Sequence, residues 1–296
     1  MALSATPTRA PSVPRTISTH ADTRTRTALP YRLSGGLAVL LAVASAAGLF
    51  VPGLYRDAPD WIAQTRGTDL ITLTIAVPAL LASLMLSARG SLRAEVVWLG
   101  VLGYTLYMYA IYAFDVVFNP LFLVYVASFS LALWSTVALL VRADPDGLRA
   151  RFAPDLPVRT IAGYLLGVAA LFCLAWLKEI VPATLGNTAP AGLRGLALPT
   201  NPVHVLDLSV LLPLAALSGI WLWQRRPLGY LLAGVLLTTL TLVGLSIVAG
   251  MVFEYRIDPK TSLSVVPMLA VVTLVGLWLL VSYLRHLGGG ARSGMR

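Results

Sequence analysis

Eight long apolar segments, with arginine-rich and arginine-poor connections alternating between them, are the feature that most constrains how this chain can fold. Each segment is long enough, or nearly so, to cross the roughly 30 Å hydrocarbon core of a bilayer as a helix that rises 1.5 Å per residue. The sequence therefore predicts an all-α fold, a polytopic bundle of about eight transmembrane helices. The segments are Leu33–Leu54, Leu70–Ser87, Val96–Phe114, Leu121–Val141, Ile161–Leu177, Val203–Trp223, Leu228–Phe253 and Val265–Leu284.

The distribution of basic residues predicts the orientation of these helices. Of the 22 lysines and arginines, sixteen lie before the first segment, after the last one, or in the connections that follow the second, fourth and sixth segments. Cytoplasmic connections carry the excess of lysine and arginine, so we predict that both termini are cytoplasmic (N-in, C-in). We expect a multi-pass protein of the cell membrane, plasma or inner. The cytoplasmic end of the bundle is called the inner end below, and the opposite end the outer end.

Composition argues against a sizeable soluble domain. Charged residues make up 12% of the 296 residues and hydrophobic residues 57%, whereas soluble domains devote about a quarter of their residues to charge. The net charge of +9 favours contact with anionic lipid headgroups at the inner end. We expect the lipid bilayer as a partner and no nucleic acid, because no basic stripe lies on a soluble domain. The residues point to no particular protein partner.

The chain divides into a tail, a membrane domain and a second tail. Residues 1–32 are rich in Thr, Ser, Ala, Pro and Arg and contain one acidic residue, which predicts a disordered cytoplasmic tail. Residues 33–287 form the eight-helix membrane domain, and 288–296 a short cytoplasmic tail. The small residues 42–47 leave an alternative open, in which the first segment is a cleaved secretory signal.

Ionisable residues near the apolar segments gather at the outer end. Charges at membrane depth are costly, and they tend to be paired or functional. The one-sided distribution therefore predicts a polar pocket that faces outward. These residues are Asp69, Asp115, Lys178, Glu179, His204, Asp207 and Glu254.

His204 and Asp207 are three residues apart at the start of the sixth segment. Residues at this spacing share one face of a helix, so their side chains can meet. An imidazole beside a carboxylate suits proton transfer or ligand binding. The alternative is that both groups only complement the N-terminus of the helix. A metal is not expected, because one histidine with carboxylates alone is a weak ligand set for zinc.

The third segment carries a series of phenols that ends in a carboxylate. At 100° per residue, Tyr104 and Asp115 nearly eclipse, and Tyr107 and Tyr112 flank them, whereas Tyr109 points away. This stripe predicts the lining of a polar cavity that descends from the outer end, and Tyr125 of the fourth segment could join it. An interfacial aromatic belt is the alternative.

Further residues of the outer end add to this picture. Lys178 ends the fifth segment, where it either snorkels to the interface or forms a salt bridge with Asp115 or Asp207. Trp61, Gln64 and Arg66 precede the second segment and could form a lid over the pocket. The predicted substrate-binding residues are Tyr104, Tyr107, Tyr112, Asp115, Lys178, His204 and Asp207.

Helix starts and small residues give expectations for packing. Thr68-Asp69 is predicted to open the second helix, and Pro78, Pro213 and Pro267 to lie inside their helices and bend them. The GxxxG pair Gly163 and Gly167 is expected to pack within the bundle.

Three functions fit these observations. The first is a small-molecule or ion transporter (permease) with an outward pocket. The second is a membrane-embedded enzyme for a lipid or isoprenoid substrate, with His204 and Asp207 as acid and base and Asp115 orienting the substrate. The third is an accessory subunit. No nucleotide, metallohydrolase or serine-hydrolase motif is present, and the single Cys173 gives no disulfide within the chain, so no cofactor is expected. We favour transport, and no residue is assigned a catalytic role.

Overall fold

The computed structural model describes residues 20–193, 198–260 and 263–288. It is 80% helical, has no strands in the described part, and contains eight helices long and apolar enough to cross a membrane. The predicted all-α polytopic bundle is therefore confirmed. The helices are α1 His20–Phe50, α2 Pro59–Ser87, α3 Leu92–Phe114, α4 Phe122–Leu140, α5 Val158–Leu185, α6 Pro202–Trp223, α7 Pro227–Ile257 and α8 Val266–His286.

The second helix begins at Pro59, well before the apolar segment Leu70–Ser87 from which it was predicted. Pro59 occupies the first turn of α2 after the extended residue Ala58, which is the helical position that proline suits best. Asp69 therefore lies about 15 Å along the helix rather than at its start. The prediction that Thr68-Asp69 opens this helix was wrong, because Pro59 starts the helix before the apolar segment and so extends it toward the outer end.

The first helix also begins earlier than expected. Residues 20–32, which we expected to be disordered, are helical. One contact that holds the end of this stretch is the Tyr31 ring, which packs against Trp98 of α3 with 4.8 Å between ring centroids. Residues 1–19 and 289–296 of the two predicted tails lie outside the described residues, as does the pair 261–262 before α8.

Helices α3 and α7 form the centre of the bundle. Helix α7 packs against α2, α3, α6 and α8, while α3 also packs against α2 and α4. Helices α1 and α5 lie further out, with α1 against α2 and α4 and α5 against α6. The chain thus forms two groups of four helices, α1–α4 and α5–α8, which meet along α2, α3 and α7.

Glycines let the backbones of the two groups touch. A Cβ atom added at Gly67 of α2 would lie 2.1 Å from the main-chain nitrogen of Gly250 in α7. A Cβ atom added at Gly100 of α3 would lie 2.3 Å from the Cβ of Thr238. In contrast, no described residue has an atom within 4 Å of a Cβ added at Gly163 or Gly167, so the expectation that this pair packs within the bundle was wrong.

Two helices contain a π-helical turn just before a proline. The turns are Thr72–Ala76 before Pro78 in α2 and Asp207–Leu211 before Pro213 in α6. Proline has no N–H to donate, so the preceding turn loses a hydrogen bond and widens. Pro267 differs from the expectation of an interior proline, because it lies in the first turn of α8.

The same side-chain bond accompanies both prolines. Four residues before each of them a hydroxyl donates to the carbonyl one turn earlier, from Thr74 to Leu70 and from Ser209 to Val205. Helices α2 and α6 are thus equivalent in their two groups.

Candidate functional site

A cavity of about 520 Å³ occupies the outer half of the bundle. It is enclosed by α2, α3, α5, α6, α7 and α8, and its walls are mainly aromatic, aliphatic and methionine side chains. This volume falls in the range of small-molecule sites. The side chains that give it polar or aromatic character are Trp61, Gln64, Thr65, Thr68, Tyr107, Tyr112, Tyr164, Phe172, Trp176, Asn201, Asp207 and Thr273.

The cavity exists because the two groups of helices are packed differently. In the first group, α2 lies along α7 and α1 lies along α4. In the second group, α6 meets α3 mainly at its first turn, Pro202–Leu206, and α5 has few contacts with α8. The spaces left between α6 and α3 and between α5 and α8 form the cavity.

Asp207 is the polar centre of the cavity. It begins the π-helical turn of α6, and it is 6% exposed. One carboxylate oxygen accepts a hydrogen bond from the Tyr107 hydroxyl at 2.9 Å, and the other accepts from the Trp176 indole N–H at 2.8 Å. Each carboxylate oxygen has two lone pairs, so Asp207 retains acceptor capacity for a ligand.

His204 lies beside Asp207 but makes no hydrogen bond to it in the structure. Its ring packs on Trp176 with centroids 4.6 Å apart, and Trp176 in turn donates to Asp207. The main-chain N–H of His204 is held by Asn201, the N-cap of α6. His204 therefore supports the wall formed by Trp176 and is not itself among the lining residues.

The four aromatic and acidic residues of the α3 stripe separate into different environments. Tyr107 binds Asp207, whereas the Tyr112 hydroxyl donates to Asp69 of α2 at 2.9 Å. Tyr104 is fully buried away from the cavity, where its hydroxyl bonds Thr72 and Ser246. The stripe is divided because α3 lies at the centre of the bundle and faces several helices at once.

Tyr109 and Tyr125, of which the sequence analysis placed only Tyr125 at the cavity, both pack behind the cavity wall. The Tyr109 ring stacks on Tyr112 at 5.1 Å, although it was expected to point away. The Tyr125 ring meets Tyr112 edge-on, also at 5.1 Å. These rings hold the Tyr112 side chain in place between the cavity and the interior of the first group.

Asp115 and Lys178 lie outside the cavity. Asp115 follows the last residue of α3, near Asp57 of the α1–α2 connection. Burial, together with the negative charge of Asp57, raises the pKa of Asp115 to about 6. Lys178 is exposed, and it forms no salt bridge with Asp115 or Asp207. The salt bridge offered as an alternative was therefore wrong, and snorkelling is what the exposure supports.

The residues predicted as a lid belong to the first turns of α2. Trp61 and Gln64 line the cavity, and Gln64 donates to Glu254 of α7 at 3.4 Å. Arg66 is not among the lining residues. The three are helical because α2 begins at Pro59, so Trp61 and Gln64 belong to a helical wall of the cavity and not to a loop that could act as a lid.

Sequence reasoning did not single out Asp69 as a site residue. This carboxylate is 1% exposed and accepts from the Tyr55 hydroxyl at 2.7 Å and from Tyr112 at 2.9 Å. Burial and the neighbouring carboxylate raise the pKa of Tyr55 well above its usual value, so this phenol remains a donor. Gly48 makes room for the pair, because a Cβ atom there would overlap both side chains. Pro59 was the signal that could have placed Asp69 inside a helix.

No known family model matches this chain. No curated protein and no solved structure has significant similarity to it either. Among the described residues, no group of three or more His, Cys, Asp or Glu side chains is arranged to hold a metal ion. The functional argument therefore rests on the cavity and on the carboxylates at its edge.

Proposed function

We propose that this protein is a permease for a small amphipathic molecule with an apolar body and a cationic head. The observation that carries the proposal is the cavity of about 520 Å³ whose largely apolar wall contains the Asp207 carboxylate. Of the described residues that line the cavity, Asp207 alone is acidic, and none is lysine or arginine. The apolar wall matches an apolar body, and the carboxylate matches a positive head.

Electrostatics supports a cationic head. A carboxylate at membrane depth is costly unless a cation or a proton compensates it. The two donors on Asp207 are a phenol and an indole, both neutral groups. A ligand cation at this position would neutralise the charge of Asp207, which the two neutral donors do not.

The packing of α5 and α8 supports access from the side of the bundle. These two helices have few contacts with each other, although both line the cavity. One bond between them joins the Tyr164 hydroxyl to the main-chain carbonyl of Val272 at 3.1 Å. Val265, the N-cap of α8, and Met268 within it line the cavity and are 45% and 43% exposed. An amphipathic molecule dissolved in the outer leaflet would reach Asp207 by this route.

The packing below the cavity supports an outward-facing state. There α3 lies against α7 through Gly100 on Thr238 and through Thr239, whose hydroxyl donates to the Gly100 carbonyl at 3.0 Å. The Tyr104 hydroxyl adds bonds to Thr72 and Ser246. The π-helical turns at Thr72–Ala76 and Asp207–Leu211 are of a kind that is frequent at functional sites and at which helices kink. In this proposal they are where α2 and α6 bend as the site opens inward.

The arrangement gives no comparable support to the enzyme hypothesis. That hypothesis needs His204, Asp207 and Asp115 around one reacting atom. His204 packs on Trp176 and Asp115 lies near Asp57, outside the cavity.

Binding of the lipophilic cation tetraphenylphosphonium to the purified protein tests the proposal. Trp61 and Trp176 line the cavity, so tryptophan fluorescence should report binding. Asp207→Asn should weaken binding roughly ten- to hundredfold, since a hydrogen-bonded charge contributes about 1.5–3 kcal/mol. The matched control is Asp115→Asn, which changes an outer-end carboxylate that does not line the cavity.

A second comparison separates charge from shape. The anion tetraphenylborate has nearly the same shape as tetraphenylphosphonium, and it should bind at least tenfold more weakly. In proteoliposomes, where tetraphenylphosphonium also crosses the bilayer unaided, wild-type protein should raise the initial rate of its uptake above that of protein-free liposomes, and Asp207→Asn should not. Equal affinity of wild type and Asp207→Asn for the cation would contradict the proposal.

A further inference from the structure

The structure contains a second buried carboxylate, Asp69, next to the cavity but outside its lining. Its oxygens accept from the hydroxyls of Tyr55 and Tyr112 at 2.7 and 2.9 Å, and the residue is 1% exposed. Tyr112 is also one of the cavity-lining residues. A single phenol therefore separates Asp69 from the space that a ligand would occupy.

Among the residues that the structure describes, none forms an ion pair with Asp69. Within the described part of the chain, the salt bridge found is His286 with Asp155 at the inner end. An unpaired carboxylate at this burial is costly, and binding a proton removes the cost. The titratable groups that face Asp69 are Tyr55 of the α1–α2 connection, Tyr104, Tyr109 and Tyr112 of α3, Tyr125 of α4, Arg66 of its own helix and, beside Gln64, Glu254 of α7. The other residues around it are Ser45 and Gly48 of α1 and Ser246 of α7.

The Tyr112 hydroxyl can accommodate both protonation states of Asp69. It has one proton and two acceptors in reach, the Asp69 carboxylate at 2.9 Å and the main-chain carbonyl of Thr65 at 3.0 Å. When Asp69 is ionised, Tyr112 donates to it. When Asp69 is protonated, its O–H donates to the Tyr112 oxygen, and Tyr112 donates to the Thr65 carbonyl instead. The protonated state therefore has one hydrogen bond more than the ionised state, the bond from Tyr112 to the Thr65 carbonyl.

We propose that Asp69 is a proton-binding site coupled to the cavity, holding a proton when the cavity is empty and releasing it when a cation binds at Asp207. This inference rests on the proposed function, since the cation is what drives release. Tyr107 and Tyr112, which contact the two carboxylates, are five residues apart on α3. A positive charge on one side of α3 favours the ionised form on the other, and the released proton leaves through the cavity to the outer face. Transport is thereby an exchange of cation for proton.

Infrared difference spectroscopy on the purified protein tests this inference. A protonated carboxylic acid has a carbonyl stretching band that the carboxylate lacks. In wild-type protein without ligand, a band of this type should titrate with pH, disappear in Asp69→Asn and remain in Asp207→Asn. Adding tetraphenylphosphonium should reduce the band in wild type, with about one proton released per cation bound.

Tyr112→Phe is the second variant, because it keeps the carboxylate and removes the hydroxyl that links it to the cavity. The carbonyl band should persist in this variant, while the change on adding the cation should fall by more than half. Cation affinity in wild type should weaken at acidic pH, and this dependence should be smaller in Asp69→Asn, where protonation of Asp207 itself is the remaining cause.

The outcomes distinguish the two proposals. If tetraphenylphosphonium binds to wild type but neither changes the band nor releases a proton, the coupling is refuted and the permease proposal stands. If no carbonyl band depends on Asp69 at any pH, Asp69 is not a proton site. If the cation does not bind to wild type at all, the proposed function is contradicted and the coupling with it.

Discussion

Adding one methyl group at Gly67 should force α2 away from α7. The new Cβ atom would lie 2.1 Å from the Gly250 nitrogen and 2.4 Å from its Cα, whereas ordinary contacts begin at 3.4 Å. The helices would have to separate by about 1.3 Å at this point. Both neighbouring atoms are main-chain atoms, so no side-chain rotation can relieve the overlap.

The expected cost follows from overpacking and helix propensity. Inserting a methyl group into a packed core costs about 1–3 kcal/mol, and the top of that range applies where backbones must move. Alanine returns about 1 kcal/mol, since glycine is the poorer helix former. A net loss of about 2 kcal/mol lowers the melting temperature by roughly 4–8 °C.

Gly163→Ala is the matched control for Gly67→Ala. Gly163 also lies in a spanning helix, and no atom of the described part of the chain lies within 4 Å of a Cβ added there. This variant should melt at or above the wild-type temperature. Melting can be followed in detergent with a thiol-reactive dye, because Cys173 is the single cysteine and is only partly exposed in the folded protein. Indistinguishable melting of the two variants would refute the α2–α7 contact.

The same perturbation should reach the cavity. Thr65 and Thr68, on either side of Gly67, line it together with Met251 beside Gly250. Because α2 is displaced, Gly67→Ala should bind tetraphenylphosphonium more weakly than wild type does. Gly163→Ala should bind it with wild-type affinity. Unchanged affinity in a Gly67→Ala protein that melts early would show that the cavity does not depend on this contact.

Three further predictions follow from contacts outside the α2–α7 interface. The pKa of Asp115 is raised to about 6 beside Asp57, so the folded state binds the Asp115 proton more tightly than the unfolded state does. The folded protein is therefore stabilised below about pH 4, and this stabilisation is lost as the pH rises through 6. Asp115→Asn should remove this pH-dependent loss of stability, which is below about 1 kcal/mol because the site is half-exposed. The difference between the melting temperatures at pH 4 and pH 7 should therefore be smaller in Asp115→Asn than in wild type. Gly48→Ala would overlap Asp69 and should lower the melting temperature and abolish the Asp69-dependent infrared band, whereas an unchanged band would contradict the contact. Tyr164→Phe removes a bond between α5 and α8 and should speed tetraphenylphosphonium binding in stopped-flow fluorescence; an unchanged rate would argue against access between these helices.

The sequence located some of the candidate site and missed the rest for reasons of helix geometry. Asp207 and Tyr107 were predicted from their depth in apolar segments, and the structure brings them within hydrogen-bond distance. Asp115 and Tyr104 nearly eclipse on α3, yet one ends the helix and the other faces α2 and α7. The angular position of a residue on its own helix does not determine which neighbouring helix that residue faces.

Asp69 illustrates a different limit. Its identity was visible, but its place depended on where α2 begins. Pro59 starts that helix before the apolar segment does, and this moves Asp69 from a cap to the interior. Its partners Tyr55 and Tyr112 come from a connection and from another helix, so no local pattern joins them.

The sequence by itself determined the number of helices and predicted their orientation. Both depend on hydropathy and on the count of arginines, which are properties of each segment alone. Only the tertiary structure decided where the cavity lies and which carboxylates border it. The cavity arises because α6 and α5 are packed less closely than their counterparts α2 and α1. Such a difference comes from contacts between helices, to which the residues of every neighbour contribute, and no single segment encodes it.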